Sequence, residues 1–265
     1  MSTSGPESEA ASIDRRSADI GIVCTQALEI QPLLKSLDRV RRYSDGGVIF
    51  RGGFLRESIR VAVVEAGAGF AVHRRAATTL IDEHHPVWVL SVGFSSPLTD
   101  ELHHGDVCLA NAIADTHGNR MDVRCPIPES KRIYVRPHVV ADQHPTTADQ
   151  RRQLAEQWSG AAVDTTSLAV AQACAEVQNE KPKARFLSIR GIVGDAADEL
   201  TSDVVEAIFA PDREARPAGL SSLWTKVRPP RPVAEWKKRS EDTAAHLSRF
   251  TLSVIEQLAE KLGKY

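Results

Sequence analysis

The sequence predicts an α/β protein with three layers, in which a central, largely parallel, mixed sheet is flanked by helices. Apolar runs at residues 19–24, 60–65 and 87–93 are typical of strands that are buried on both faces. Segments at residues 26–37 and 70–83 separate these runs and carry the apolar spacing of helices. Because parallel strands require a crossover connection between them, this alternation indicates a sheet whose first strands run parallel.

The rest of the chain continues the same pattern as a single domain. Residues 115–160 are polar and rich in proline and histidine, which predicts a lid or excursion with a short helix near residues 147–157. We expect one domain over residues 19–263, preceded by a disordered tail at residues 1–18. The other predicted elements are strands at residues 48–50, 107–113 and 184–190, helices at residues 167–177 and 233–262, and a loop from residue 211 to 232.

Composition and charge narrow the class of protein. The net charge of -2 and the pI of about 6.5 leave no basic excess for a phosphate backbone, so we expect no nucleic-acid partner. The start of the chain lacks the apolar core of a signal peptide, and no run reaches the ~18–20 uncharged apolar residues of a membrane span. We therefore expect no membrane partner. Four widely spaced cysteines suit a reducing compartment, which favours a cytoplasmic location.

Two kinds of bound group are not expected. The paired histidines at residues 84–85 and 103–104 lack further ligands at metal-binding spacing, so we predict no metal. Gly67 and Gly69 lie between a strand and a helix, as in a dinucleotide-binding fingerprint, but Val72 occupies the position of the third glycine. The sequence therefore predicts no cofactor, although the free amides of this helix start suit an anion or a hydroxyl group.

The candidate functional residues lie in five segments that follow predicted strands. Ligands of wound sheets bind beyond the carboxyl ends of the strands, so these segments share one rim. They are IGIVCTQALE at residues 20–29, AGAGF at 66–70, VGFSSPL at 92–98 with HGDVC at 104–108, VDTTS at 163–167 and IRGIVGDAAD at 189–198.

Taken in order, these segments resemble the nucleoside phosphorylase and nucleosidase superfamily, especially the methylthioadenosine/S-adenosylhomocysteine nucleosidase type. The corresponding motifs of that family read xIGIIxAxxxE, SGIGK, TGxAGGL with VGDIV, VEMEA and VRxISDxAD. Five matches in the same order span roughly residues 19–210. This collinearity is far more specific than any one match.

The resemblance implies an enzyme that cleaves the N-glycosidic bond of a purine nucleoside, with water as the nucleophile. The departing base must receive a proton or a hydrogen bond at N7, and a carboxylate must activate the water. In the family an Asp of the fifth segment serves the base and a Glu of the first serves the water, which assigns these catalytic roles to Asp195 and Glu29. The substrate-binding candidates are Gly67, Gly69, Gly93, Phe94, Ser95, Asp164, Thr165, Thr166, Arg190, Gly194 and Asp198.

The sequence departs from the family at two acidic positions. The Glu that grips the ribose hydroxyls aligns with Thr166, and Asp164 lies two residues earlier, where a helix would direct its side chain elsewhere. The catalytic Asp aligns with Gly194 without a gap and with Asp195 if one residue is inserted, with Asp198 as a second acid. Each lost hydrogen bond from a carboxylate removes ~1.5–3 kcal/mol of stabilisation.

Three functions therefore stay open. The leading one is a nucleosidase of purine nucleoside metabolism, such as methionine salvage. In a phosphorylase, phosphate would replace water and an arginine would hold it; the nearest arginines, Arg74 and Arg75, are expected to face outward. A catalytically degenerate nucleoside-binding protein is the third. Members of the family commonly assemble as dimers or larger oligomers, so the resemblance also implies a homo-oligomer.

Overall fold

The computed structural model describes residues 17–45, 48–176, 184–209 and 231–263. Most of the predicted tail and most of the predicted loop between residues 211 and 232 lie outside the described residues. Within the described ranges the strands are β1 (Ile20–Cys24), β2 (Asp38–Asp45), β3 (Val48–Leu55), β4 (Ile59–Glu65), β5 (Trp88–Pro97), β6 (Val107–Asp115), β7 (Arg120–Asp122), β8 (Ile133–Val140), β9 (Ala162–Asp164) and β10 (Arg185–Ile192). The helices are α1 (Ala27–Leu34), α2 (Phe70–His84), α3 (Ala148–Trp158), α4 (Ser167–Ala175), α5 (Ser202–Ile208) and α6 (Arg231–Glu260).

These strands form one mixed sheet. β1 lies between β4 and β5 and runs parallel to both, as the helical crossovers require. β10 pairs in parallel with β5 and antiparallel with β6, so β5, β10, β6, β8 and β9 close on one another as a ring. On the other side, β4, β3 and β2 extend the sheet as antiparallel neighbours.

The two faces of the sheet bury separate apolar cores. Successive residues of a strand point to opposite faces. In β4, Val61 and Val63 accordingly pack into a core with α1, α5 and α6, whereas Ala62 and Val64 pack into a second core with α2 and α4. Helices therefore cover the sheet on both sides, which confirms the predicted α/β fold class.

The segment at residues 115–160 differs from the prediction of a lid or excursion. Its middle part is β8, which pairs with β6 and β9 inside the sheet. The middle of β8, residues 134–137, is only partly buried, and Arg136, Pro137 and His138 interrupt the apolar pattern, so the sequence does not indicate a strand here. The helix expected near residues 147–157 is α3, and its first turn is capped by the Thr147 hydroxyl.

The packing of α6 against β10 is a direct test of the first core. Leu247 is fully buried, and a Cβ at Gly191 of β10 would lie 3.3 Å from its Cδ2 atom. We expect Leu247→Ala to lower the free energy of unfolding by about 2–5 kcal/mol, because it leaves a cavity in a rigid core. Urea unfolding measures this change, with the exposed Lys238→Ala on the same helix as the control. If Leu247→Ala lowers the free energy of unfolding no more than Lys238→Ala does, α6 does not pack into this core as described.

Candidate functional site

The candidate site lies where three neighbouring strands end together. Asp115 of β6 is opposite Val140 of β8, and Val140 is opposite Asp164 of β9. The residues that follow these three positions leave the sheet side by side and form part of the wall of a cavity of about 1230 Å³. The loop after β4, together with α2 and α5, contributes further parts of the wall. A cavity of this size accommodates a small organic ligand.

Glu29 is a buried carboxylate in the first turn of α1. Its Oε2 atom accepts hydrogen bonds from the N–H groups of Thr25 at 2.7 Å and Gln26 at 3.1 Å, and its Oε1 atom accepts one from Phe94 at 3.1 Å. Burial raises the pKa of Glu29 to about 7, although these N–H groups and Arg190 act in the opposite direction. Glu29 therefore exchanges a proton near neutral pH.

Asp164 and Arg190 form a buried ion pair beside this carboxylate. The Arg190 Nε atom donates to Asp164 Oδ2 at 3.1 Å, and Nη2 lies 3.4 Å from Oδ1. Asp164 Oδ1 also accepts the N–H groups of Thr166 and Ser167, each at 2.7 Å, where α4 begins. Burial by itself would raise the pKa of Asp164, but Arg190 and these N–H groups together hold it below its ordinary value.

The backbone of β5 brings the two charged groups together. A Cβ atom at Gly93 would lie 2.7 Å from Arg190 Nη1 and 2.9 Å from Glu29 Oε1, so the missing side chain lets both approach the strand. The next residue, Phe94, supplies the N–H that holds Glu29. The hydroxyl of Ser95 donates to the Val163 carbonyl at 2.7 Å and fastens β5 to β9.

Asp195 and Asp198 belong to a different cluster from Glu29. The Arg239 guanidinium of α6 lies 3.3 Å from an Asp195 oxygen and 2.9 Å from an Asp198 oxygen. Asp198 also accepts the backbone N–H of Asp195 at 2.8 Å. Gly194 has a φ of 90°, and a Cβ there would meet the Trp236 ring at 2.6 Å. The segment after β10 is thus fastened to α6, and among the described contacts nothing joins Asp195 to Glu29.

Three of the predicted residues, Gly67, Gly69 and Thr165, line the cavity itself. Glu29 is not part of this lining and lies behind it. The link between them is Thr25, whose N–H donates to Glu29 and whose carbonyl accepts the N–H of Gly67 at 3.0 Å. In the same way, Thr165 separates the cavity from the Asp164–Arg190 pair.

The polar residues of the cavity wall that were not predicted as site residues include Arg75 and three others. Arg75 lines the cavity from α2, although an outward orientation was expected, while Arg74 pairs with Glu176 at 2.6 Å. The other three are His117, Asp142 and His144, which all fall in the segment predicted as an excursion. These three residues lie just beyond the ends of β6 and β8, which is where ligand-binding residues are expected. That position could not be inferred from the sequence because β8 was not predicted as a strand.

Two further features of the molecule concern the ranges that the structure describes. Within those ranges, no group of three or more His, Cys, Asp or Glu side chains is arranged to hold a metal ion. None of the helices described is both long enough and apolar enough to cross a membrane.

The fold and the site together define an α/β protein with an ionisable buried carboxylate next to a ligand-sized cavity at the strand ends. The chain belongs to the phosphorylase superfamily, whose family model matches residues 19–151. This confirms the resemblance inferred from the five sequence segments. The search of curated proteins returned no match to the sequence.

Solved structures of similar fold include nucleosidases and a hydrolase. A 5′-methylthioadenosine/S-adenosylhomocysteine nucleosidase from Colwellia psychrerythraea in complex with adenine has a TM-score of 0.68 and 18% identity, covering 91% of this chain and 96% of that one. The Helicobacter pylori nucleosidase of the same type, with 5′-methylthioadenosine in its active site, gives 0.65 and 16%, covering 91% and 99%. Futalosine hydrolase from Helicobacter pylori gives 0.63 and 17%, covering 92% and 99%. At these identities the likeness establishes the shared fold.

The buried ion pair predicts a specific pattern of stability. Arg190→Met leaves Asp164 as a buried charge without its cationic partner, so we expect the free energy of unfolding to fall by about 3–5 kcal/mol. Adding Asp164→Asn removes that charge but keeps an oxygen for the N–H groups of α4, so the double variant regains most of the loss. Urea unfolding of the single and double variants measures both effects. Equal stability of the two variants would be inconsistent with a charge pair at this position.

Proposed function

We propose that this chain hydrolyses the N-glycosidic bond of purine nucleosides and that Glu29 activates the attacking water. The observation that carries the proposal is the buried Glu29 carboxylate with a pKa of about 7, one residue behind the cavity wall. A general base works best when its pKa lies near the working pH. Membership of the phosphorylase superfamily supports ribosyl transfer as the class of reaction.

The hydrogen bonds of Glu29 leave room for a water molecule. Oε2 already accepts two N–H groups, whereas Oε1 accepts only that of Phe94 among the described donors. Oε1 lies beside Arg190 Nη1 at the bare Cα of Gly93, because the missing side chain lets both groups approach the strand. A carboxylate oxygen has two lone pairs, so Oε1 retains one that can take the proton of a bound water.

We expect a hydroxyl group, and not a carboxylate, to contact the ribose in this site. Thr166 is buried with its N–H on Asp164, and Asp164 is engaged by Arg190 and by the start of α4. Thr165 reaches the cavity between them, so we assign the sugar contact to its hydroxyl and a positioning role to the Asp164–Arg190 pair. Neutral hydrogen bonds are weaker than charged ones, which lowers the expected turnover. The family resemblance also supports a homo-oligomer, and the four widely spaced cysteines favour a cytoplasmic location.

The role of Glu29 predicts both a rate and a pH profile. Glu29→Gln should lower the rate of base release by roughly 10²–10⁴-fold, because the amide cannot accept the proton of water. Only the ionised carboxylate acts as a base, so the wild-type rate should rise as the pH passes through about 7, and the variant should lose this rise. Base release from a panel of purine nucleosides, followed by chromatography, measures the rate.

The exposed Glu83→Gln on α2 is the control and should leave the rate unchanged. An unaltered rate in Glu29→Gln would remove Glu29 from the mechanism. If the wild-type protein binds purines but releases no base from any nucleoside, a nucleoside-binding protein is the better description.

A phosphorylase is the second candidate, and Arg75 is the observation that favours it. This arginine lines the cavity near Gly67 and Gly69, where the amides at the start of α2 also suit an anion. The hydrolytic proposal predicts full base release in phosphate-free buffer, with free ribose as the product. In a phosphorylase, base release would require phosphate, and Arg75→Gln would raise the KM for phosphate. The matched control is Arg74→Gln, which breaks only the pair with Glu176.

A further inference from the structure

An imidazole–carboxylate pair lies in the cavity wall at two adjacent strand ends. His117 and Asp142 each come two residues after the register pair Asp115 and Val140, so parallel pairing of β6 and β8 places them side by side. Their side chains meet at 3.0 Å, between His117 Nε2 and Asp142 Oδ1. Both line the cavity. The sheet register therefore creates this pair, although nothing in the sequence motifs pointed to it.

The turn that presents His117 is held in one conformation. Asp115 Oδ1 accepts the N–H groups of His117 at 3.0 Å and Asn119 at 2.8 Å, and Asp115 Oδ2 accepts the side-chain amide of Asn119 at 2.7 Å. Gly118 adopts a φ of 94°, which closes the turn. On the other side, the N–H of Thr116 donates to the Val140 carbonyl at 3.2 Å. His117 is thus exposed, on a turn that these hydrogen bonds fasten to the ends of β6 and β8.

The leaving base of a nucleoside needs an acid, and the cavity wall offers two imidazoles. His144 is buried and stacked on Phe209 with ring centroids 3.8 Å apart. Burial lowers the pKa of His144 to about 3, so it is neutral and has no proton to give at neutral pH. The pKa of His117 is shifted in the opposite direction. Its hydrogen bond to Asp142, together with the nearby Asp115, raises this pKa above the ordinary value. The remaining charged groups of the wall are Arg75 and Glu206.

We propose that His117, oriented by Asp142, donates the proton to the departing purine. As the C1′–N9 bond breaks, its electron pair moves into the base, and N7 takes the proton from His117. Water adds to C1′ and gives its proton to Glu29, so a nucleoside and water become free base and ribose; solvent then restores both groups. This inference rests on the proposed glycosidic cleavage. His117 is a catalytic residue, and Asp142 is a positioning residue that stabilises the charged imidazole.

This assignment replaces the role that the family resemblance gave to Asp195. The Asp195 carboxylate lies 3.3 Å from the Arg239 guanidinium of α6. Its other oxygen, Oδ1, accepts the N–H of His104 at 3.2 Å, so both carboxylate oxygens already have partners. Thr25 links Glu29 to Gly67 of the cavity wall, whereas no described partner of the Asp195 carboxylate belongs to that wall. Asp195 then positions the segment after β10, and proton donation falls to a group on the far side of the strand ends.

Nucleosides that differ only at N7 test the proposal. A methyl group on N7 makes the base a cation, so it departs as a neutral molecule without needing a proton. Adenosine and inosine are each compared with their 7-methyl counterparts. His117→Gln should lower kcat/KM for the unmethylated members by about 10²-fold and leave the 7-methyl members nearly unchanged. Asp142→Asn should give a smaller loss of the same kind and shift the alkaline limb of the pH profile to lower pH.

Two further variants complete the design. Arg152→Gln breaks an equally exposed ion pair with Asp149 on α3 and should leave all four substrates unaffected. Asp195→Asn should change both members of each substrate pair by the same factor. If His117→Gln lowers both members equally or not at all, or if Asp195→Asn shows the dependence on methylation, the pair is not the acid although cleavage stands. If the wild-type protein releases base from none of the four, both this inference and the proposed function fail.

Discussion

The charge on Arg190 is the constraint around which the site is organised. One buried guanidinium lies between two buried carboxylates, Asp164 and Glu29, against the bare backbone of Gly93. A single positive charge cannot fully compensate two negative ones in a medium that hydrates neither. Arg190 is hydrogen-bonded to Asp164, and together with two N–H groups it holds the pKa of Asp164 below its ordinary value against the effect of burial. Burial raises the pKa of Glu29 to about 7, although Arg190 and three N–H groups oppose this rise. Separation of two carboxylates in this way is how proteins obtain an acid–base group at neutral pH.

The register of the sheet determines where the polar residues of the cavity wall lie. Because Asp115, Val140 and Asp164 stand in one row across β6, β8 and β9, the chain leaves the sheet at three adjacent points. The residues that follow each of these strand ends contribute polar groups to the same cavity wall. The loop after β4 approaches from elsewhere and is tied to Glu29 through Thr25. The buried charged residues therefore lie directly behind the wall of the ligand cavity.

The sequence predicted the buried strands and the residues next to them, but it did not predict the exposed strand β2 or the place of His117 in the cavity wall. β1, β4, β5 and β10 are apolar runs that have few alternative interpretations. Gly93 lies within β5, and Glu29 comes shortly after β1. β2 was missed because almost all of its side chains are exposed, so burial left no alternation to read. The position of His117 depends on the pairing of β6 with β8, which no local pattern encodes.

The same limit applies to Asp195, whose catalytic role is a prediction from its motif. Its family motif was visible, but its ionic partner Arg239 comes from α6, 44 residues later in the chain. Sequence motifs name residue types at strand ends, whereas the partner that fixes a side chain comes from the tertiary fold. Thr166 shows the reverse case, since the absence of a carboxylate there was apparent from the sequence, and the structure adds that Thr165 faces the cavity.

The central claim is that Glu29 titrates near neutrality while Asp164 stays ionised. The most direct measurement is the ¹³C chemical shift of the side-chain carboxyl carbons as a function of pH, with both residues assigned through their substitutions. The account predicts a midpoint near 7 for Glu29 and a midpoint below the ordinary aspartate range for Asp164. A Glu29 midpoint near the ordinary value of 4.5 would contradict it, because a carboxylate with that pKa is a poor base for water.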